Sequence, residues 1–218
     1  MKELTWWKVF LTKKNGLPIQ RIQLRKPKVI ITTSSSDTGW GVHSPLIQTH
    51  GFWTKEEQRL TINIRELMSN YFALKLHGPS YRNCTIKVLT DNVTSIKYTT
   101  KAGGTASVHL QDYAVKIQDI YNQYSLNMIY QHIRGLNNIA ADQLSRAKKP
   151  WYESAIPNKL FQKIQQKWGP LKIDMFASRQ NAQLPTYWSL RSGPQAAATD
   201  TFLQHWPLMG LYAIHSGS

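Results

Sequence analysis

The chain has 218 residues, of which 41% are hydrophobic and 11% aromatic, enough for a packed core and too many for a disordered chain. Twenty-seven Lys and Arg against twelve Asp and Glu give a net charge of +15, which points to a polyanionic partner. Cys84 is the single cysteine, so an internal disulfide and a cysteine metal cage are both excluded.

In chain order, residues 1–27 are basic and carry a turn signal at Asn15-Gly16-Leu17-Pro18, and they read as a connecting linker. Lys28–Thr33 is β-branched and predicts a strand; Gly39-Trp40-Gly41 and Ile47–Trp53 predict two more. Ile64, Leu67, Met68, Tyr71 and Leu74 recur at helical spacing, so Ile62–Lys75 predicts a helix with one apolar face. Thr85–Thr90 predicts a strand, followed by a helix start at Asp91-Asn92. Ala106–Asn122 predicts a long helix with Leu110, Tyr113, Ala114, Ile117, Ile120 and Tyr121 on one stripe. Leu126–Ile133 predicts a strand and Asn138–Arg146 a closing helix. The pattern is mixed α/β with an antiparallel start rather than a doubly wound sheet. Beyond it, Ile156–Trp168 predicts a helix and Leu171–Phe176 a strand. The division expected is 1–27, 28–147 and 148–218.

No apolar run approaches the roughly 20 residues that span a bilayer. No leader-like segment follows Met1–Glu3, and no basic amphipathic helix suited to a membrane surface stands out. The expectation is an intracellular protein, nuclear or cytoplasmic, that meets nucleic acid and no membrane.

With only twelve acids, their placement is informative. Asp91 ends an apolar strand, Glu66 lies inside a helix beside Leu67, and Asp142 lies in a short helix after Gly135-Leu136-Asn137-Asn138. Buried carboxylates are costly unless paired or bound to metal. Hard cations such as Mg²⁺ take oxygen ligands, and two of them can clamp the attacking and leaving oxygens of a phosphodiester. From spacing alone, three unrelated surface acids pairing with nearby lysines fit equally well.

Four blocks together carry a resemblance. Thr33-Ser34-Ser35-Ser36-Asp37-Thr38-Gly39-Trp40-Gly41, Ile62-Asn63-Ile64-Arg65-Glu66-Leu67, Leu89-Thr90-Asp91-Asn92 and His132 through Arg146 resemble, in order and spacing, the ribonuclease H domains of reverse-transcribing elements. Gly103-Gly104-Thr105-Ala106-Ser107, the ending Ala141-Asp142-Gln143-Leu144-Ser145-Arg146 and Asp174 through Asn181 resemble the DIRS group of tyrosine-recombinase retrotransposons. There a reverse transcriptase precedes this domain. The resemblance implies a ribonuclease H-like fold: a mixed five-stranded sheet, its first three strands antiparallel, with flanking helices. It implies cutting of the RNA strand of an RNA–DNA hybrid by two Mg²⁺ (or Mn²⁺) held by four acids.

Carried over, Glu66, Asp91 and Asp142 match three catalytic, metal-ligating acids. Ser34 stands where the first aspartate belongs, so metal binding is expected to be weakened or absent. At about 4 Å and an effective dielectric near 20, one unit charge against another is worth roughly 4 kcal/mol. Asp37 falls in the turn past the strand, and its use as a substitute would need a register slip that flips the strand's faces. The implied nucleic-acid-binding residues are Asn63, Asn92, Lys101, Arg134 and Arg146. His132 reads as structural. Ser34 fits an engineered inactivation, a decaying element, or a domesticated host protein that kept the fold to bind nucleic acid or scaffold a complex. The partners expected are RNA–DNA hybrid or duplex nucleic acid, and an upstream reverse transcriptase or protein complex.

Pro157, Leu160-Phe161, Trp168-Gly169, Asp174, Phe176-Ala177, Asn181, Tyr187, Asp200 and Trp206 resemble the opening of phage-type adenine methyltransferases. Their Asn/Asp-Pro-Pro-aromatic motif is missing, so no methyl transfer is expected. The tail reads as an appendage that packs Trp and Tyr onto the core, with Trp168 and Phe176 needed for stability.

Overall fold

The computed structural model describes residues 2–14, 26–105, 107–149 and 155–213. Its central sheet has the order β3-β2-β1-β4-β5, built from β1 (Val29–Ser35), β2 (Gly39–His43), β3 (Gln48–Phe52), β4 (Thr85–Thr90) and β5 (Asn127–His132). β1 pairs antiparallel with β2, and β2 with β3, while β4 runs parallel to β1 and to β5. The short turn at Ser36–Thr38 permits the first reversal; the parallel pairings need the helical crossovers that the sequence supplies.

Those crossovers are α3 (Ile62–His77) between β3 and β4, and α4 (Val93–Thr100) with α5 (Val108–Tyr124) between β4 and β5. α6 (Ile139–Ser145) follows β5. Strand alternation separates the two faces. Trp40 turns to α3, its ring 5.2 Å from that of Phe72. Its neighbours Gly39 and Gly41 back onto α6. A Cβ at Gly41 would lie 2.7 Å from Leu144 Cβ and from Ser145 N, with Ala141 O closer still, so only glycine lets this helix approach the sheet. The core between sheet and helices includes Ile31, Val42, Leu67, Leu74, Ile86, Val88 and Ile117, all essentially inaccessible. This mixed sheet with its flanking helices is the ribonuclease H-like fold expected from the sequence.

α5 buries Leu110, Ala114, Ile117 and Ile120, four of the six stripe residues, with Tyr113 and Tyr121 partly buried beside them. α3 departs from the single apolar face expected of it. Arg65, Glu66, Asn70, Phe72, Ala73 and His77 are buried as well, because other elements close over its second side. A short helix, α2 (Lys55–Gln58), was not anticipated; Thr54 and Glu57 form a reciprocal capping box at its start.

Part of the stretch 1–27, read as a connecting segment, is helical. Lys2–Lys14 form a helix, α1, because this stretch holds good helix formers and no Gly or Pro, and Trp6 stacks on Phe10 one turn on at 4.9 Å. The expected turn at residues 15–18 lies outside the described residues, as does Ala106.

The C-terminal extension holds α7 (Asn158–Trp168) and four two-residue strands: β6 (Ile173–Asp174), β7 (Trp188–Ser189), β8 (Ala198–Thr199) and β9 (Leu211–Tyr212). β6 is shorter than the Leu171–Phe176 expected, since only Ile173 and Asp174 find partners on β9. The extension meets the sheet domain along β3, α2 and α3 by polar anchors. Thr49 Oγ1 donates to Ser192 O at 2.6 Å and Gln180 Nε2 to Trp53 O at 2.9 Å. Arg179 Nη1 donates to Glu57 Oε2 at 2.9 Å, with its guanidinium over Phe72. Trp168, expected to pack inward, is 64% exposed with Lys167 over its ring, and Phe176 packs on Phe202 within the extension. The large buried aromatics here are instead Phe161, Tyr187, Trp188 and Tyr212.

Candidate active site and nucleic-acid interface

The site forms where the end of β1, the first turns of α3, the end of β4 and α6 converge. Ser34 is buried in β1 opposite Gly41, on the sheet face that α6 covers. Its hydroxyl makes no side-chain hydrogen bond to the described residues. Asp37 lies beyond the strand with its side chain 94% exposed, and Arg65 Nη2 holds it at 2.9 Å. Arg65 Nη1 and Trp53 Nε1 both donate to Ser36 O, at 2.9 and 3.1 Å, while Ser36 Oγ donates to Ser145 O at 2.6 Å. These bonds hold the turn, with the Asp37 side chain turned to solvent against Arg65.

Glu66 is 4% exposed. Its Oε1 accepts from Ser35 N at 2.9 Å; its Oε2 is buried with no hydrogen-bond partner among the described residues. Its carboxyl is raised to about 8 by burial first, then by the nearby charges of Asp91 and Asp142, against the Ser35 N–H and the Thr90 hydroxyl. Asp91 and Asp142 thus lie near enough for their charges to act on Glu66. Asp91 is exposed at the end of β4, beside the turn before α6: a Cβ at Gly135 would lie 3.2 Å from its Oδ2. Asp142, half-buried on α6, accepts from Arg146 Nε at 3.0 Å on each carboxylate oxygen. Among the described residues, no group of three His, Cys, Asp or Glu side chains is drawn together closely enough to hold a metal ion.

Asn63 and Asn92 also meet. Asn92 Nδ2 donates to Asn63 Oδ1 at 2.9 Å, and Asn92 Oδ1 caps α4 by accepting from Ser95 N at 2.7 Å. Arg134 and Lys101 are exposed. Lys101 follows the far end of α4, about 12 Å along the axis from Asp91, and is not brought to the acids. Arg146 is tied to Asp142 rather than standing free for phosphate. His132 ends β5 in strand conformation with an exposed ring.

Two supporting groups were missed in the sequence. Asn138 Nδ2 donates to Thr33 O at 2.8 Å and anchors the start of α6 to β1. Thr33 Oγ1 donates to Asn70 Oδ1 at 2.6 Å and ties β1 to α3. Asn70 lies among apolar neighbours in the helix, and a buried amide inside an apolar pattern is the one signal that pointed to it.

No family model and no curated protein sequence matches the chain. Among solved structures, similarity is found to LC11-RNase H1 in complex with an RNA/DNA hybrid, at 20% identity and a TM-score of 0.47, over 54% of this chain and 93% of that one. The RNase H1 of the halophilic archaeon Halobacterium salinarum is similar at 18% identity and a TM-score of 0.45, over 53% and 92%. The foamy viral protease-reverse transcriptase in complex with an RNA/DNA hybrid is similar at 15% identity and a TM-score of 0.39, over 65% and 26%. The strand order and helix placement of the chain itself, not these partial likenesses, define its ribonuclease H-like fold.

Proposed function

We propose that the chain is a retroelement-derived ribonuclease H-like protein that binds RNA–DNA hybrid, with hydrolysis of the RNA strand impaired by Ser34. One observation carries the reading: a buried glutamate oxygen without a partner, next to two further acids, in a protein of net charge +15. Such an arrangement is costly for folding alone and suits a polyanion brought in with a cation.

The donor set fits a hard divalent ion in part. Glu66, Asp91 and Asp142 are oxygen ligands that would hold Mg²⁺ or Mn²⁺, which supplies activation of water and neutralisation of charge at the scissile phosphate. Residue 34 offers a neutral hydroxyl in place of a carboxylate, and Arg146 already occupies both oxygens of Asp142. The residues therefore suit one weakly held ion better than a pair. Asn63, Asn92 and Arg134 would face the hybrid, reading groove shape and the 2′-hydroxyl rather than base identity.

A second reading is favoured by the same ion pair. Arg146 balances Asp142, and the raised carboxyl of Glu66 is easily kept neutral, so the site persists without metal. This suits a domesticated protein that binds hybrid or duplex nucleic acid, or scaffolds a complex, without cutting. Under both readings a DIRS-type origin, an upstream reverse transcriptase and an extension that transfers no methyl group remain part of the proposal.

The test is incubation of the protein and its Ser34→Asp variant with a labelled RNA–DNA hybrid in Mg²⁺ and in Mn²⁺. Cutting by the variant alone, with hybrid bound by both, is the expected result. Cutting by the unmodified protein overturns the impairment. Binding by both with cutting by neither favours the second reading.

A further inference from the structure

A cavity of about 540 Å³ lies between β3 and the C-terminal extension, within the size range of small-ligand sites. Trp40, Phe52 and Tyr187 are its buried aromatic walls; Phe176 is half-buried, and Phe202 stands 75% exposed at the rim with its ring 5.6 Å from that of Phe176. The accessible aromatic surface of the cavity is therefore the pair Phe176 and Phe202, and nucleobases stack on such rings.

Two guanidiniums border the cavity, and they differ. Arg179 is neutralised by Glu57. Arg191 has no acid within ion-pair distance among the described residues. Its Nη1 donates to His50 Nε2 at 2.7 Å, so that ring is neutral there, and the positive charge of Arg191 is uncompensated. A guanidinium with free N–H donors at the mouth of an aromatic cavity suits a phosphate. Asp200 also lines the cavity; its Oδ1 accepts from Phe202 N, and its carboxylate offers an acceptor to a sugar hydroxyl or a base amine.

We propose that this cavity binds one unpaired nucleotide, its base among Phe176, Tyr187 and Phe202 and its phosphate on Arg191. Choosing a nucleic-acid strand as its source rests on the hybrid-binding reading above; the chemistry of the cavity does not. The site lies on the β3 side of the sheet, apart from Glu66, Asp91 and Asp142. It suits a single-stranded overhang flanking a hybrid, or a free mononucleotide.

The experiment compares affinity for a blunt hybrid, for the same hybrid with a three-nucleotide overhang, and for AMP and dTMP alone. The proteins are the unmodified chain, Phe202→Ala and Arg191→Ala; both side chains are exposed, and melting curves confirm folding. The expected result is about tenfold tighter binding of the overhang hybrid than of the blunt one, as one stacked base contributes. That advantage disappears in Phe202→Ala and shrinks in Arg191→Ala, with blunt-hybrid affinity unchanged in Phe202→Ala. Saturable binding of AMP or dTMP that both variants weaken supports the cavity with a free nucleotide as its source, even if no hybrid binds. Equal affinity for blunt and overhang hybrids together with no mononucleotide binding overturns the proposal.

Discussion

Glu66 is a buried carboxyl on α3 whose proton the fold holds. Its folded-state value near 8 lies well above the ordinary glutamate value of 4.5, so the folded protein holds this proton more tightly than the unfolded chain. The associated stability is complete below pH 4.5 and is lost as the pH rises through 8. At about 1.4 kcal/mol per pH unit, the loss has an upper bound on the order of 5 kcal/mol. Thermal melts between pH 5 and 9 are expected to fall with pH for the unmodified protein and to be flatter for Glu66→Gln, which keeps the shape without the titration. A Mg²⁺-dependent rise in melting temperature at pH 8 is expected to be larger in Ser34→Asp than in the unmodified protein, since binding to the folded state stabilises by mass action. Equal shifts in the two would show that residue 34 does not ligate.

At the scale of elements, α6 and α7 make opposite predictions. α6 lies so close to β2 that any side chain at Gly41 meets backbone on two sides. Gly41→Ala is expected to cost about 2–3 kcal/mol, read as a lower denaturation midpoint, and to displace Asp142. Trp168 ends α7 in solvent, and Trp168→Ala is expected to change stability by less than about 0.5 kcal/mol. A large loss in that variant would mean that the ring packs somewhere in solution. α3 explains why its sequence is polar on one side yet buried: Arg65 clamps the β1–β2 turn, Glu66 accepts from Ser35 N, Asn70 ties β1, and Phe72 lies under Arg179.

For the whole molecule, the charge of +15 sets how affinity responds to salt. Binding of hybrid is expected to weaken steeply between 50 and 200 mM salt, with log K falling linearly against log salt at a slope of about −0.9 per phosphate contacted on a duplex. Arg134→Ala is expected to lower that slope by about one unit, whereas Trp168→Ala leaves it unchanged. An affinity insensitive to salt would point to a protein partner instead. The extension is joined to the sheet domain by polar anchors around Arg179, Gln180 and Ser192, with the cavity between them. A polar seam of this kind tolerates an opening that a continuous apolar core would resist.

The sequence by itself determined the strands and long helices of the sheet domain, because β-branched runs and 3.6-residue apolar spacing are local signals. Glu66, Asp91 and Asp142 were singled out through the resemblance of four sequence blocks, since the scarcity and spacing of acids alone fit unrelated surface acids equally well. Asp37 was read as lying in the turn past the strand end, and there it is found, paired with Arg65. Only the tertiary structure decided the rest. The burial of α3 on both sides, the Thr33–Asn70 and Thr33–Asn138 ties and the pairing of Arg146 with Asp142 depend on which elements meet. The cavity against β3 arises where segments more than a hundred residues apart come together, and no local pattern records that. The helix at residues 2–14 was legible in composition but masked by its basic character, since charge marks a partner and says nothing about backbone conformation.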